Sequence, residues 1–167
     1  MPLIKDGHFV QDDWQRLGAE DAPPAAPGKL VLPVARLAEA GPALAEAGHR
    51  IGVDITNDTD PASLTPWFDR LALIAVSFPK HADGRGFSVA TRLRRLGYKA
   101  ELRASGHLIA DQYALARGCG FDTVEISDAQ AARQPEPQWL DAEHAMSLAY
   151  QRGYGQLQNI LSARWAG

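Results

Sequence analysis

From residue 29 to residue 127, short apolar segments of the strand type alternate with segments of helical periodicity. This alternation constrains the fold more than any other feature, because strands joined by helices over short connections pair in parallel through right-handed crossovers. We therefore predict an α/β protein with a parallel sheet of about four to five strands and alternating helices. The predicted strands are residues 29–34, 50–56, 71–78, 99–105 and 122–127, and the predicted helices are residues 35–48, 60–71, 87–97 and 108–118.

In a parallel sheet covered by helices on both faces, strands are normally apolar throughout, but the strands predicted here alternate apolar and polar residues. In RIGVDIT, residues 50–56, the isoleucines and the valine point to one face and Asp54 to the other. The same alternation places Glu101, Arg103 and Glu125 on the polar face. We therefore expect a partial (β/α)-barrel-like sheet with helices mainly on one face, and keep a doubly wound open sheet as the alternative.

The N-terminal part of the chain does not follow this pattern. Residues 1–17 are predicted to form a β-hairpin, because Asp6-Gly7 favours a tight turn between two short apolar segments. Residues 18–28 are rich in proline and alanine and are predicted to be a linker. The rest of the chain, residues 29–167, is expected to be a single α/β domain that ends in a long helix over residues 139–163.

Composition argues against several classes of protein. The net charge of −3 lacks the basic excess of a general nucleic-acid-binding surface. No apolar run is long enough to span a membrane, and the N-terminus lacks the apolar core of a signal peptide, so we expect a cytoplasmic protein without a membrane partner. The single cysteine, Cys119, cannot supply the thiolates of an iron–sulfur cluster. Because no H-x-x-H or H-E-x-x-H spacing occurs, the sequence predicts no metal site, and we expect no cofactor.

The stretch HADGRGFS, residues 81–88, follows the most apolar predicted strand. Ligands of parallel α/β proteins bind at the carboxyl ends of strands, where backbone N–H groups of the next helix attract anions. The stretch RASGH, residues 103–107, ends the next strand and is expected to lie beside this loop. The candidate anion-binding residues are Lys80, Asp83, Gly84, Arg85, Gly86, Ser88, Arg103 and Gly106.

A purely structural interpretation of this loop stays open. Asp83-Gly84 is a common turn pair, and Ser88 is a suitable residue for a helix N-cap. The loop is not a Walker loop, which ends in Gly-Lys-Ser/Thr, and its single G-x-G is too short for the dinucleotide fingerprint.

A second set of candidates lies on the polar face of the sheet and its rim, where carboxylates could exchange protons with a substrate. No nucleophile–base–orienter triad can be assembled from the spacing of the residues, so the catalytic residues are unknown. The candidates on this face and rim are Asp54, Glu101, Glu125, Asp111 and Gln112.

Residues 73–126 resemble an uncharacterised bacterial family whose genes commonly lie beside those for assimilatory sulfite reduction. The family is often labelled an oxidoreductase involved in sulfite reduction. The shared signature consists of a Phe-Pro pair, an Asp-Gly-Arg-Gly-aromatic-Ser loop and several later motifs. In this chain these are Phe78-Pro79, residues 83–88, Gly97-Tyr98, residues 101–104, Gly106, Asp111-Gln112 and residues 119–122.

The resemblance implies a role in assimilatory sulfite reduction. Six-electron reduction of sulfite requires a haem-type and iron–sulfur centre or an equivalent carrier, which one cysteine cannot hold. We therefore expect an accessory protein that binds the sulfite reductase subunits or an anionic ligand, such as a sulfur oxyanion or phosphate, and is not itself the redox catalyst. There are two alternatives. One is a small α/β enzyme that acts on an acidic molecule, and the other is a protein-interaction module that binds another protein or forms a homo-oligomer.

Overall fold

Eight strands form one sheet in the computed structural model, which describes residues 1–80 and 82–144. The strands are β1 (Leu3–Lys5), β2 (His8–Val10), β3 (Trp14–Arg16), β4 (Lys29–Pro33), β5 (Arg50–Ile55), β6 (Leu71–Phe78), β7 (Glu101–Gly106) and β8 (Thr123–Glu125). The α-helices are α1 (Val34–Glu46), α2 (Arg85–Arg95), α3 (Tyr113–Gly118), α4 (Asp128–Arg133) and α5 (Glu136–His144). Two short 3₁₀ helices, Pro61–Trp67 and Ala110–Gln112, precede β6 and α3.

The strands from β3 to β8 are parallel and lie in the sheet in their sequence order, whereas β1 and β2 form an antiparallel hairpin beside β8. The α/β class and the N-terminal hairpin are therefore confirmed, although the hairpin covers residues 3–10 of the predicted 1–17 and residues 14–16 form β3 at the other edge of the sheet. The predicted number of strands is too low, because β3 has only three residues and shows no alternating pattern of its own. Residues 18–28 contain neither helix nor strand, and the division into domains stays a prediction.

The two edge strands of the sheet, β2 and β3, are joined by only three residues, 11–13. A flat sheet of eight strands would separate its edges by about 34 Å, at about 4.8 Å for each neighbouring pair. The four peptide units from the end of β2 to the start of β3 span at most about 14 Å. The sheet therefore curls into a half-barrel, in agreement with the partial barrel that the polar strand faces predict.

The convex face of the half-barrel carries the hydrophobic core. Alternate residues of the central strands, among them Val53, Ile74 and Val76, are fully buried beneath α1 and α2. The first turn of α2 approaches the end of β6 so closely that a Cβ atom on Gly86 would lie 2.4 Å from Cζ of Phe78. Only glycine fits at this contact, which fixes the position of the loop before α2.

Some predicted helices differ from the observed ones. The helix predicted over residues 60–71 is a 3₁₀ helix over Pro61–Trp67, because Pro61 and Pro66 interrupt α-helical geometry and hydrogen bonding. The helix predicted over residues 139–163 corresponds to α5 as far as residue 144, and its later residues lie outside the described ones. Among residues 1–80 and 82–144, no helix combines the length and hydropathy that crossing a membrane requires.

Candidate functional site

Arg16 of β3 reaches across the concave face of the sheet. Its guanidinium donates hydrogen bonds to the carboxylates of Asp54 on β5 and Glu125 on β8, and its Nη2 lies 3.3 Å from Oγ of Ser105 on β7. Arg16 contacts these strands together only because the sheet curls around it. One side chain thus links the edge strand β3 to the far half of the parallel sheet.

Arg103 forms the centre of the polar face, with only 1% of its side chain exposed. Its guanidinium donates to both carboxylate oxygens of Asp12, at 2.6 and 3.1 Å, and to Oε1 of Glu101 at 3.0 Å. Oε2 of Glu125 lies 3.5 Å from Nη1. Because Asp12 belongs to the connection between β2 and β3, this pairing fastens the connection onto the sheet.

We call these six side chains the concave network: Asp12, Arg16, Asp54, Glu101, Arg103 and Glu125. Burial by itself would lower the pKa of each arginine, but hydrogen bonds and the charges of the surrounding carboxylates outweigh burial and raise the pKa of both Arg16 and Arg103. Both guanidinium groups therefore stay charged. Buried charges are tolerated when they are paired in this way.

Three of the predicted polar-face residues, Asp54, Glu101 and Glu125, are thus brought together by the fold, each as an acceptor from an arginine. Asp111 and Gln112 lie elsewhere, in the 3₁₀ helix after β7. Asp111 is exposed, and Gln112 accepts a hydrogen bond from the backbone N–H of Ile109 at 3.3 Å.

Arg103 and Arg85 were expected to face the same anion, but their guanidinium groups contact different carboxylates. Arg103 points into the concave network, whereas Arg85 donates from Nε and Nη2 to Asp83 at 3.0 and 2.7 Å. The prediction that Arg103 lies on the polar face is correct. Arg103 is buried there because the curl of the sheet makes this face concave. Neither arrangement tests anion binding, which stays a prediction.

The loop before α2 is built around Asp83. Its carboxylate accepts the backbone N–H of Arg85, and Gly84 occupies the N-cap position of α2. The expectation that Ser88 caps this helix is wrong, because α2 begins at Arg85 and Ser88 lies exposed within it. Hydrogen bonds from Arg85 hold the pKa of Asp83 well below its usual range, and Asp83 in turn raises the pKa of Arg85.

A cleft of about 390 Å³ lies between the exposed face of α2 and the loop after β5, and we call it the α2 cleft. Arg85, Ser88 and Arg92 line it from α2, where their spacing of three and four residues places them on one helix face. On the opposite wall, Asn57 is only 6% exposed, and its Nδ2 has no hydrogen bond of good geometry among the described residues. Its amide nevertheless helps to lower the pKa of Asp83.

Asn57 and Arg92 were not among the predicted site residues. The signal for Asn57 is the polar run TNDTD, which follows a predicted strand and therefore reaches the same edge of the sheet as the loop before α2. Arg92 belongs to an arginine-rich helix whose exposed face gives no local sign of a cleft. Its guanidinium lies 3.2 Å from Oδ1 of Asp60.

Two further candidates for the anion site, Gly106 and Lys80, lie near this loop. Gly106 pairs with Phe78, so the loops after β6 and β7 lie side by side as predicted. Gly106 has a φ of +123°, and a Cβ atom there would lie 2.5 Å from the carbonyl oxygen of Phe78. Lys80 is exposed and makes no ion pair among the described residues. Within the same residues, no three His, Cys, Asp or Glu side chains are arranged to hold a metal ion.

Comparison with known families adds one finding. The model of a bacterial protein family of unknown function, DUF934, matches residues 52–160, which is well over half of the chain. The matched region contains the α2 cleft and the part of the concave network on β5, β7 and β8, whereas β1 to β4 precede it. No curated protein matches the chain.

Proposed function

This chain belongs to the bacterial family of unknown function DUF934, and we propose that it is an accessory, non-redox protein of assimilatory sulfite reduction. It binds an oxyanion, or an anionic group on the reductase, in the α2 cleft. The observation that carries the proposal is the meeting of two guanidinium groups, Arg85 and Arg92, with the buried amide of Asn57 in one cleft. The link to sulfite rests on the resemblance of residues 73–126, which includes the whole loop before α2.

The donors of the α2 cleft suit an oxyanion. Arg85 is 62% exposed, and Asp83 occupies its Nε and Nη2. A guanidinium has five N–H donors, so Nη1 of Arg85 can donate to a ligand while the pair with Asp83 persists. The amide of Asn57 forms part of the opposite wall and helps to keep Asp83 ionised, and the positive end of α2 favours a negative charge nearby.

Three carboxylates border the cleft, Asp58, Asp60 and Asp83, and the last two already pair with its arginines. Arg92 and Asp60 are 58% and 62% exposed in their pair, and an exposed pair contributes only about 0–1 kcal/mol. An oxyanion can therefore replace Asp60 as the partner of Arg92 at little cost. The alternative of an acid–base enzyme is less well supported, because the carboxylates Asp54, Glu101 and Glu125 are already acceptors in the concave network.

Calorimetric titration with sulfite, sulfate and phosphate tests anion binding. We expect heat from at least one of them, and we expect both Arg85→Gln and Arg92→Gln to weaken that binding about tenfold, the effect of losing one charged hydrogen bond. Arg133→Gln, which removes an exposed arginine from α4, is the matched control and should bind as the unmodified protein does. Absence of heat with all three anions, or equal affinity in all variants, contradicts the proposal.

Deletion of the gene tests the role in sulfur assimilation separately. We expect the deletion strain to grow poorly on sulfate and on sulfite, and normally on cysteine, because only the first two require sulfite reduction. The unmodified gene should restore growth, and the Arg85→Gln gene should not. Normal growth on all three sulfur sources would remove sulfite reduction from the proposal, whatever the titration shows.

A further inference from the structure

The concave face opens into a second cleft at the amino ends of the parallel strands. This amino-end cleft has a volume of about 700 Å³, within the range of roughly 300–1,000 Å³ that is typical of small-molecule sites. Its walls are the N-terminal hairpin on one side and the β2–β3 connection with Trp14 on the other, and Arg103 lies at its floor. The α2 cleft lies at the opposite ends of the strands.

The carboxylates that line the amino-end cleft already have cationic partners. Each of the four lies within 3.0 Å of a lysine or arginine nitrogen, so none is left to attract a cation. The pairs are Asp6 with Arg117 at 2.9 Å, Asp13 with Lys29 at 2.5 Å, Glu101 with Arg103 at 3.0 Å and Asp122 with Arg94 at 2.6 Å.

The charges that remain uncompensated are positive. Lys5 on β1 and Lys99 just before β7 line the cleft, and both are exposed. Neither forms an ion pair with any carboxylate of residues 1–80 and 82–144. An anionic group that enters the cleft therefore meets two ammonium groups without displacing an internal partner.

The cleft also has an apolar wall with a fixed aromatic ring. A Cβ atom on Gly52 would lie 3.1 Å from Cζ3 of Trp14, so the indole is packed against the backbone of β5. The ammonium of Lys29 lies 5.9 Å from the centre of the same ring. Val10 of the hairpin, which is 37% exposed, supplies further apolar surface, whereas Leu3 is buried. An indole held in place in this way presents a contact surface for a flat ring without losing further side-chain freedom.

We propose that the amino-end cleft binds a small organic anion built on an aromatic ring system. The acidic group pairs with Lys5 and Lys99, and the ring packs against Trp14 and the apolar residues of the hairpin. This inference does not depend on the proposed function, because the two clefts share no residue and take different ligands.

The test uses two fluorescent probes with the same rings. Anilinonaphthalene sulfonate carries the acidic group, and N-phenylnaphthylamine lacks it. We expect the sulfonate to bind at one site, to shift the indole N–H resonance of Trp14, assigned from a Trp14→Phe variant, and to bind about tenfold more tightly than the uncharged probe. Sodium chloride should weaken binding of the sulfonate and leave binding of the uncharged probe unchanged.

Charge-removing variants locate the site. Lys5→Gln and Lys99→Gln should each weaken sulfonate binding about three- to fivefold, the range for an exposed ion pair, and the double variant about tenfold. Arg133→Gln removes the same charge far along the chain and should have no effect, and the α2-cleft variant Arg85→Gln should have none either. Equal affinity for both probes, an unshifted Trp14 resonance, or unchanged binding by the double variant would each overturn the inference.

Discussion

Arg16 on β3 donates a hydrogen bond to Glu125 on β8, although four strands separate β3 from β8 in the sheet. The contact exists because the three-residue connection between β2 and β3 forces the two edges of the sheet towards each other. Arg103, from the middle of β7, binds Asp12 in that same connection. The curl of the sheet and the concave network therefore depend on each other.

Arg103→Ala is expected to destabilise the protein by about 3–5 kcal/mol, because it leaves the buried carboxylate of Glu125 and the partly buried carboxylates of Asp12 and Glu101 without their shared partner. Urea unfolding followed by tryptophan fluorescence measures the change in the free energy of unfolding. The control Arg133→Ala, at an exposed position on α4, should change that free energy by less than about 0.5 kcal/mol. A loss below about 1 kcal/mol for Arg103→Ala would mean that the concave network contributes little to stability.

Gly86→Ala is expected to destabilise the protein by about 1–3 kcal/mol, since the new methyl group overlaps the buried ring of Phe78. Gly118→Ala is the matched control: nothing lies within 4 Å of a Cβ atom there, and the residue is helical. That variant should be neutral or stabilise by up to about 1 kcal/mol. Combining Gly86→Ala with Phe78→Leu should recover part of the loss if the ring is the obstacle. Equal changes in the free energy of unfolding for Gly86→Ala and Gly118→Ala would contradict the close contact between residue 86 and Phe78.

Asp83→Asn is expected to raise the affinity of the α2 cleft for oxyanions about threefold or more, because it frees Arg85 from its charged partner and removes a negative charge beside the ligand. Calorimetric titration with sulfate measures the change. Asp69→Asn removes an equal charge from an exposed position outside the cleft and serves as the control. An unchanged or lower affinity in Asp83→Asn would show that Asp83 positions Arg85 for the ligand rather than competing with it.

Acid is expected to loosen the contact between α5 and the N-terminal hairpin. Glu136 accepts hydrogen bonds from the backbone N–H of Phe9 at 2.7 Å and from His8, and these lower its pKa from the ordinary value of 4.5. Because the folded pKa is the lower one, the stability from Glu136 is present above pH 4.5 and is lost as the pH falls through the folded value.

The amide resonance of Phe9, followed by NMR during an acid titration, reports this step. It should move with a midpoint below 4.5 in the unmodified protein. In Glu136→Gln, which keeps an acceptor oxygen but cannot ionise, that transition should disappear. A midpoint above 4.5, or the same transition in the glutamine variant, would assign the effect to another group.

Much of the fold follows from local patterns. The alternation of RIGVDIT assigns Val53 to the core and Asp54 to the polar face, because side chains of a strand point alternately to its two sides. The Asp-Gly pair predicts the turn between β1 and β2 for a similarly local reason, the positive φ that both Asp6 and Gly7 adopt. These features depend only on residues a few positions apart.

The sequence by itself therefore determined the α/β class, the polar and apolar faces of the strands and the hairpin. Only the tertiary structure decided that β3 joins the sheet, that Arg103 binds Asp12 rather than standing beside Arg85, and that Asn57 and Arg92 line one cleft. Arg103 and Asp12 are 91 residues apart in the chain, and no local pattern records their meeting. They come together because a three-residue connection draws the two edges of an eight-stranded sheet towards each other, which is a property of the whole sheet rather than of any segment.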